Sequence, residues 1–293
     1  MDRSEVDTWR TVAGGWERQS AIFTAATARL TARLIELAEL EGGETVLELA
    51  AGPGEVGFAA ASRLGANGRL LSTDFAPEMV EVARRRGAEL GLENVEYRTI
   101  DATAIDLDDA SVDVVLCRFG VMLTPDPAVT LGEIRRVLKP GGRASIAVWS
   151  GPERNLWISA SGTAARELGL APPTEPDTPG PFRLADQVRL RSLVADAGLD
   201  VSALEEVPID WHADSLDDWW SMVVDTSPTL AALAAQAAAD DLARVRAGSE
   251  EQIRQFVAAD GSVSLPGVAI AVGAVRSGVT GAPSGVRNDG DSR

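Results

Sequence analysis

Short apolar runs alternate with amphipathic segments from Thr45 to Ser150. The apolar runs predict five strands, TVLELA, RLLSTDF, VEYRTID, VDVVLCRFG and GRASIAVWS. Between them, segments such as APEMVEVARRRGAELG and PAVTLGEIRRVL carry apolar residues at helical spacing and predict connecting helices. This order of strand, helix and strand indicates βαβ units and therefore a parallel sheet.

The alternation changes after Ser150. Segment 151–184 predicts one amphipathic helix and a proline-rich loop, and 215–259 predicts two or three helices. VSALEEVPIDWHA and SVSLPGVAIAVGAVR predict two more strands, the last antiparallel and bulged at Pro266 and Gly267. We predict an α/β fold with a Rossmann-like, doubly wound, mostly parallel sheet of seven strands. It forms a single domain over 1–276, with lid helices in 1–40, 151–184 and 215–259, and a disordered tail over 277–293.

Composition restricts the classes of function. The chain has 44 acidic and 27 basic residues, a formal charge of −17, which disfavours nucleic acid as a partner. One cysteine, Cys117, and one histidine, His212, cannot form an internal disulfide or the usual zinc site, so no metal is expected. The N-terminal sequence lacks the apolar core of a signal peptide, and no apolar stretch approaches the length of a membrane span. We therefore expect a cytoplasmic protein with no membrane partner.

The stretch LELAAGPGEVGF places a G-x-G-x-x-G pattern at the end of the first predicted strand. Such a turn lets a nucleotide approach the backbone, and Asp74, at the next strand end, can accept ribose hydroxyls. A nicotinamide or flavin cofactor fits this much, and so does S-adenosylmethionine. Glu55 favours S-adenosylmethionine, because a carboxylate at this helix N-terminus repels the pyrophosphate of a dinucleotide. Glu48 could contact the ammonium group of the methionine part.

Four segments, in order, resemble the motifs of class I S-adenosylmethionine-dependent methyltransferases. They are VLELAAGPGEVGF, STDFAPEMVEVARRR, the DA that follows the third strand, and LGEIRRVLKPGGRASIAVW. The last segment is similar to the corresponding motif of the ubiquinone and menaquinone biosynthesis methyltransferases. This branch of the family is also described as methyltransferase type 11-like. Together the segments cover roughly Glu36 to Ser150.

The resemblance implies a set of contacts to S-adenosylmethionine. Asp74 would hold the ribose, Phe75 and Met79 would flank the adenine, and Asp101 and Ala102 would bind its edge. Backbone contacts are implied at Ala50, Gly52, Gly54, Gly57 and Arg118. Ala50 departs from the glycine often found at its position in the family.

The same resemblance implies a lid over an acceptor pocket. We expect Trp9, Trp16, Phe119, Trp149 and Trp157 to line that pocket, and Trp219 and Trp220 to lie in the core. Lid segments Trp9–Leu30 and Asn155–Arg183 contain few lysines or arginines that could bind phosphate, so the expected acceptor is a small, apolar, aromatic or polyketide-like metabolite, methylated at oxygen or carbon. His212 is the candidate catalytic base if the acceptor needs one.

Three alternatives remain open on the sequence. A nicotinamide-dependent oxidoreductase is opposed by Glu55. A methyltransferase fold that retains the cofactor but catalyses a cyclisation would share every motif. A non-enzymatic binding protein is disfavoured, because every position implied to contact the cofactor holds a residue that is able to do so. The scarcity of cysteine argues against arsenic or thiol chemistry.

Overall fold

The computed structural model describes residues 3–173, 177–236 and 239–278. Within them the strands are β1 (Thr45–Glu48), β2 (Arg69–Asp74), β3 (Val95–Thr99), β4 (Val112–Arg118), β5 (Leu138–Trp149), β6 (Leu199–Ala213) and β7 (Val263–Arg276). The α-helices are α1 (Arg3–Arg18), α2 (Ser20–Ala26), α3 (Ala28–Leu37), α4 (Glu55–Leu64), α5 (Pro77–Glu89), α6 (Pro127–Val137), α7 (Leu156–Glu167), α8 (Gln187–Asp196), α9 (Leu216–Thr226), α10 (Pro228–Gln236) and α11 (Ala239–Ile253). The positions of β1 to β5 agree with the five apolar runs.

One seven-stranded sheet has the order β3-β2-β1-β4-β5-β7-β6. Strands β1 to β5 pair in parallel, and β7 pairs antiparallel with both β5 and β6. The predicted α/β fold and the antiparallel last strand are confirmed. Because the strand order reverses at β1 and β4, their carboxyl ends leave a crevice in which ligands bind in such sheets.

The predicted bulge in β7 is wrong. Pro266 and Gly267 pair in continuous register with Asp210 and Ile209, and the register shift lies on β6, between Val201 and Ala203. Gly267 instead leaves room for a neighbour, since a Cβ there would lie 3.1 Å from Nε1 of the Trp211 indole. The glycine reflects close packing on the sheet face.

The core lies on both faces of the central strands. The β4 side chains of residues 114–117 are at most 1% exposed, as the unbroken apolar run predicted. On one face α3 contributes Leu30 and Leu34, both fully buried. Trp219 and Trp220 of α9 are buried, in agreement with the core role expected of them. This rigid layer fixes the strand ends that form the site.

Helices from three distant segments cover the carboxyl edge of the sheet. Helix α1 packs against α5, α9 and α10, and α7 packs against α11. Helices α1, α7, α9, α10 and α11 fall within 1–40, 151–184 and 215–259, the segments for which lid helices are expected. That they act as a lid stays a prediction. Most of the predicted tail, residues 279–293, lies outside the described residues. Of the helices described, none is both long and apolar enough to span a bilayer.

Candidate active site

A cavity of about 930 Å³ lies between the strand ends and the covering helices. At one end its wall contains residues of the motif segments, namely Glu48, Ala50, Gly52, Asp74, Phe75, Met79, Ala102 and Arg118. At the other end the wall is aromatic and comes from α1, α7, the loop before α8, and α9 with α10. We call these two ends the cofactor half and the acceptor half.

The glycine turn after β1 shapes the cofactor half. Ala50, Gly52 and Gly54 have positive φ values of 50°, 51° and 94°. Alanine tolerates this conformation at a cost of about 1–2 kcal/mol. A Cβ on Gly52 would meet nothing within 4 Å, so the chain leaves open space beside this residue of the cavity wall.

Gly54 and Gly57 lie behind the turn and are not part of the cavity wall. A Cβ on Gly54 would lie 2.4 Å from the Phe58 ring, and one on Gly57 would lie 2.1 Å from Oε2 of Glu48. These two glycines therefore position the turn and α4. This corrects the expectation that both contact the cofactor directly.

Glu48 is fully buried at the end of β1 and lines the cavity. Its Oε1 accepts from the backbone N–H of Gly57 at 2.7 Å, and its Oε2 accepts from the Ser72 hydroxyl at 3.0 Å. Burial raises the pKa of this carboxyl to about 7. The hydrogen bonds fix Glu48 to α4 and β2, and its predicted contact with a ligand ammonium stays a prediction.

Asp74 lies at the end of β2 and also lines the cavity. Its Oδ2 accepts from the N–H of Gly52 and its Oδ1 from the N–H of Ala76, both at 3.0 Å. Burial raises the pKa of Asp74 to about 6. A carboxylate has about four lone-pair sites, so each oxygen retains acceptor capacity for a ligand hydroxyl.

Glu55 does not present a bare negative charge to the cavity. Its Oε1 pairs with Arg86 at 2.7 Å and its Oε2 pairs with Arg118 at 3.1 Å, and it is not part of the cavity wall. Two guanidinium groups compensate one carboxylate, so the argument that Glu55 repels a pyrophosphate is weaker than the sequence indicated. The charge of Glu55 therefore does not by itself distinguish S-adenosylmethionine from a dinucleotide cofactor.

Of the predicted pair Asp101 and Ala102, only Ala102 is part of the cavity wall. The Asp101 Oδ1 accepts from the N–H and the hydroxyl of Thr103, at 2.8 and 2.7 Å. This turn fixes the loop that carries Ala102 after β3. A contact between Asp101 and an adenine amino group stays a prediction.

All five aromatic residues predicted for the acceptor pocket line the cavity: Trp9, Trp16, Phe119, Trp149 and Trp157. Phe119 has a φ of 63° and stacks on Trp149 with a centroid distance of 3.7 Å. Trp157 meets Trp149 edge to face at 5.3 Å. These rings form a continuous apolar wall, although their contact with an acceptor stays a prediction.

Two aromatic residues of the wall were not foreseen. Phe23 lies 4.4 Å from Trp16, centroid to centroid, and Phe182 lines the cavity from the loop before α8. Segment 226–230, at the junction of α9 and α10, also contributes. No local pattern marks these residues, because only the packing of distant helices brings them together.

Four arginines line the cavity, and two of them come from the expected lid segment Asn155–Arg183. They are Arg118, Arg166, Arg183 and Arg189. Arg118 pairs with Glu55, and Arg189 pairs with Asp177. Only Arg118 was predicted at this site, because a single arginine on a helix or loop is usually a solvated surface residue.

The geometry contradicts a catalytic role for His212. It lies on the edge strand β6 with 60% of its side chain exposed, and it is not part of the cavity wall. Its Nδ1 lies 3.2 Å from the Ser264 hydroxyl, and its Nε2 lies 3.5 Å from Asp214. Alternation along β6 directs Trp211 to the core and His212 to solvent.

Residues 40–161 match the family model described as a methyltransferase domain. The chain is 36% identical to the ubiquinone/menaquinone biosynthesis C-methyltransferase UbiE of Hydrogenovibrio crunogenus over 141 residues, 47% of this chain and 56% of that protein. It is also 36% identical to the demethylmenaquinone methyltransferase of Lactococcus lactis over 118 residues, 40% of this chain and 47% of that one. The chain thus spans about half the length of these curated relatives.

A third relative is the aklanonic acid methyltransferase DauC of Streptomyces sp., 34% identical over 111 residues, 38% of this chain and 50% of that protein. Among solved structures, the YcgJ protein of Bacillus subtilis is 21% identical with a TM-score of 0.57, covering 84% of this chain and 97% of that one. The [4+2]-cyclase SpnF is 17% identical with a TM-score of 0.56, covering 92% and 96%. At these identities the structures support the fold alone.

The matched segment contains the glycine turn, Asp74, Ala102 and Arg118, which are the residues of the cofactor half. Residues 40–161 therefore form a methyltransferase domain that is similar to the class I S-adenosylmethionine-dependent methyltransferases. Within that class, the matched segment is similar to the ubiquinone and menaquinone biosynthesis enzymes.

Proposed function

We propose that this protein transfers the methyl group of S-adenosylmethionine to an oxygen or carbon atom of a small aromatic or polyketide-like metabolite. The observation that carries the proposal is that a cofactor half and an aromatic acceptor half meet in one cavity. Its volume lies near the top of the roughly 300–1,000 Å³ usual for ligand pockets, which suits a cofactor and an acceptor together.

The cofactor half fits S-adenosylmethionine by its chemistry. Asp74 keeps acceptor capacity on both oxygens while two backbone N–H groups orient it, as a ribose diol requires. Phe75, Met79 and Ala102 supply the apolar surroundings that suit an adenine ring. Gly52 leaves room for close approach of the ligand to the backbone.

The bound cofactor would supply an activated methyl group, so the protein's role is to align the acceptor and exclude water. Trp149, Phe119 and Trp157 give the acceptor a flat, rigid surface next to the strand ends. The residues that line the cavity in the described chain include no imidazole. We therefore expect an acceptor that ionises without a histidine base, such as a phenol, an enolisable dicarbonyl or a carboxylic acid.

The acceptor class rests on the aromatic wall and on two relatives. One relative is named for demethylmenaquinone and another for aklanonic acid, and both names point to polycyclic or quinone-like acceptors of those proteins. The single cysteine, Cys117, is buried, and burial raises the pKa of its thiol to about 12, which does not suit arsenic chemistry.

Incubation with S-adenosylmethionine and a panel of hydroxynaphthoquinones and polyhydroxylated anthraquinones tests the proposal. Mass spectrometry should detect a product heavier by one methyl group and an equal amount of S-adenosylhomocysteine. A rearranged product of unchanged mass would indicate that the protein catalyses a cyclisation and not methyl transfer. Methylation of tRNA, rRNA or protein, with no activity on any small phenol or enol, would overturn the acceptor class.

A further inference from the structure

Seven acidic or basic side chains line the cavity in the described part of the chain, three carboxylates and four arginines. Glu48 and Asp74 are held by backbone and hydroxyl donors in the cofactor half. Among the arginines, Arg118 and Arg189 each have a carboxylate partner. Arg166 and Arg183 have no carboxylate partner among the described residues, and both face the acceptor half.

Arg183 is held in place by groups that leave its charge uncompensated. Its Nη1 donates to the backbone carbonyls of Thr124 at 2.7 Å and Pro125 at 3.1 Å. Its Nε is buried and has no hydrogen-bond partner among the described residues. A half-buried guanidinium oriented by neutral carbonyls is costly unless an anion binds it.

Arg166 lies in the last turn of α7, where its guanidinium folds back over Gly162. A Cβ on Gly162 would lie 3.2 Å from Nη1 of Arg166, and both residues are part of the cavity wall. Its Nη2 donates to the Thr163 hydroxyl at 3.2 Å. The arginine therefore has a neutral partner only, and its remaining N–H donors are available to a ligand.

We propose that Arg166 and Arg183 bind a carboxylate of the acceptor, which places an aromatic or polyketide carboxylic acid in the acceptor half. This inference rests on the proposed function and names its substrate class. The planar guanidinium matches the two oxygens of a carboxylate and forms charge-assisted hydrogen bonds with them. The aromatic wall supplies the complementary surface for the apolar body of the same molecule.

The net negative charge of the chain bears on how an anionic ligand could bind near these two arginines. A formal charge of −17 repels small anions, so a site that accepts an organic acid needs a local excess of positive charge. The nearby Asp177 and Arg189 form an ion pair and contribute no net charge. Arg166 and Arg183 therefore supply the positive charge of the acceptor half.

Three naphthalene probes that differ in one substituent test the inference. We would titrate 2-naphthoate, 2-naphthamide and 2-naphthyl phosphate by calorimetry, with and without saturating S-adenosylhomocysteine. 2-Naphthoate should bind about tenfold more tightly than 2-naphthamide. Arg166→Gln and Arg183→Gln should each remove most of this preference and leave the affinity for the amide unchanged.

Arg191→Gln is the matched control, because Arg191 lies exposed on α8 and outside the cavity wall. It should leave the preference for 2-naphthoate intact. Since Arg183 also braces Thr124 and Pro125, Arg166→Gln decides the question if Arg183→Gln disturbs the fold. Equal affinities for acid and amide, an undiminished preference in Arg166→Gln, or tighter binding of 2-naphthyl phosphate than of the acid would overturn the inference.

The two proposals fail in different ways. Absence of binding heat with S-adenosylhomocysteine would count against the proposed function, whereas the comparison of acid and amide without that ligand still reports on the arginines. Normal binding of S-adenosylhomocysteine with no preference for the acid would leave the methyltransferase proposal intact and reject the carboxylate.

Discussion

The two halves of the cavity are built differently. In the cofactor half, polar groups at neighbouring strand ends bind one another over short distances, as Asp74 does with Gly52 and Ala76. In the acceptor half, aromatic rings from α1, α7 and the strand ends meet across large separations in sequence, as Trp16, Trp149 and Trp157 do. A fixed set of polar groups on the sheet is thus combined with a wall whose shape depends on helix packing.

Removing the Asp74 carboxylate should have the largest effect on the cofactor half. Asp74→Ala should weaken binding of S-adenosylhomocysteine by about 1.5–3 kcal/mol, roughly 10- to 150-fold, because a charge-assisted hydrogen-bonding group is lost. Calorimetric titration measures the change, and the acceptor probes should bind as before. An unchanged affinity for S-adenosylhomocysteine would remove the ribose assignment.

Glu48→Gln should raise stability while it lowers cofactor affinity. The Glu48 pKa is about 7 in the folded chain against 4.5 when unperturbed, so this carboxyl lowers stability progressively as the pH rises from 4.5 to about 7, and the full cost persists above that pH. Glutamine can keep the hydrogen bonds to Gly57 and Ser72 without that charge. We expect a gain on the order of 2 kcal/mol in the free energy of unfolding at pH 8, which disappears as the pH falls toward 4.5.

Denaturant unfolding at several pH values measures this gain, and titration with S-adenosylhomocysteine measures the loss of an ammonium contact. Lower stability of Glu48→Gln at pH 8 would contradict the assigned cost of burying the charge. Unchanged affinity would leave Glu48 as a residue that only positions the turn.

A paired glycine experiment tests the cover over the cavity. A Cβ on Gly15 of α1 would lie 2.0 Å from the backbone oxygen of Asp225, whereas one on Gly14 would lie 3.5 Å from a flexible arginine terminus. Gly15→Ala should push α1 away from α9 and cost about 1–2 kcal/mol of stability. Gly14→Ala should instead be neutral or stabilising by up to about 1 kcal/mol, since alanine favours helices.

Moving α1 should also displace Trp9 and Trp16 of the acceptor half, so Gly15→Ala should weaken binding of 2-naphthoate several-fold. Hydrogen exchange should then show faster exchange in α1 of this variant than in Gly14→Ala. Equal exchange and equal affinity in the two variants would mean that α1 does not act as a lid.

His212→Ala should have the smallest effect. Because His212 is exposed on β6 and outside the cavity wall, kcat should stay within about twofold of the wild-type value. The loss of about 10²–10⁴-fold that accompanies removal of a general base would contradict the structure. Steady-state kinetics with the identified acceptor makes the measurement.

The strand ends at one end of the cavity could be predicted because their residues follow local rules, while their contact with a cofactor stays a prediction. A glycine turn and a carboxylate must occur at the ends of consecutive strands, so Gly52 and Asp74 could be located by counting along the chain. The roles of Gly54 and Gly57 were misassigned, because spacing does not distinguish a glycine that faces a ligand from one that makes room for Phe58 or Glu48.

The acceptor half could be predicted only in part. Tryptophans near motif boundaries pointed to it, but Phe23, Phe182, Arg166 and Arg183 depend on how distant helices and loops pack. The candidate role of His212 as a base could not be judged from its neighbours in sequence, which are carboxylates. Strand alternation along β6 places its side chain in solvent. Glu55 likewise had its charge compensated by Arg86 and Arg118, which come from elsewhere in the chain.

The central claim is that the cofactor half binds S-adenosylmethionine and not a dinucleotide. Parallel calorimetric titrations of the wild-type protein with S-adenosylhomocysteine and with NAD test it most directly. The account predicts one-site binding of S-adenosylhomocysteine that is weakened in Asp74→Ala, and no measurable heat with NAD. Binding of NAD that depends on Asp74, with none for S-adenosylhomocysteine, would contradict it.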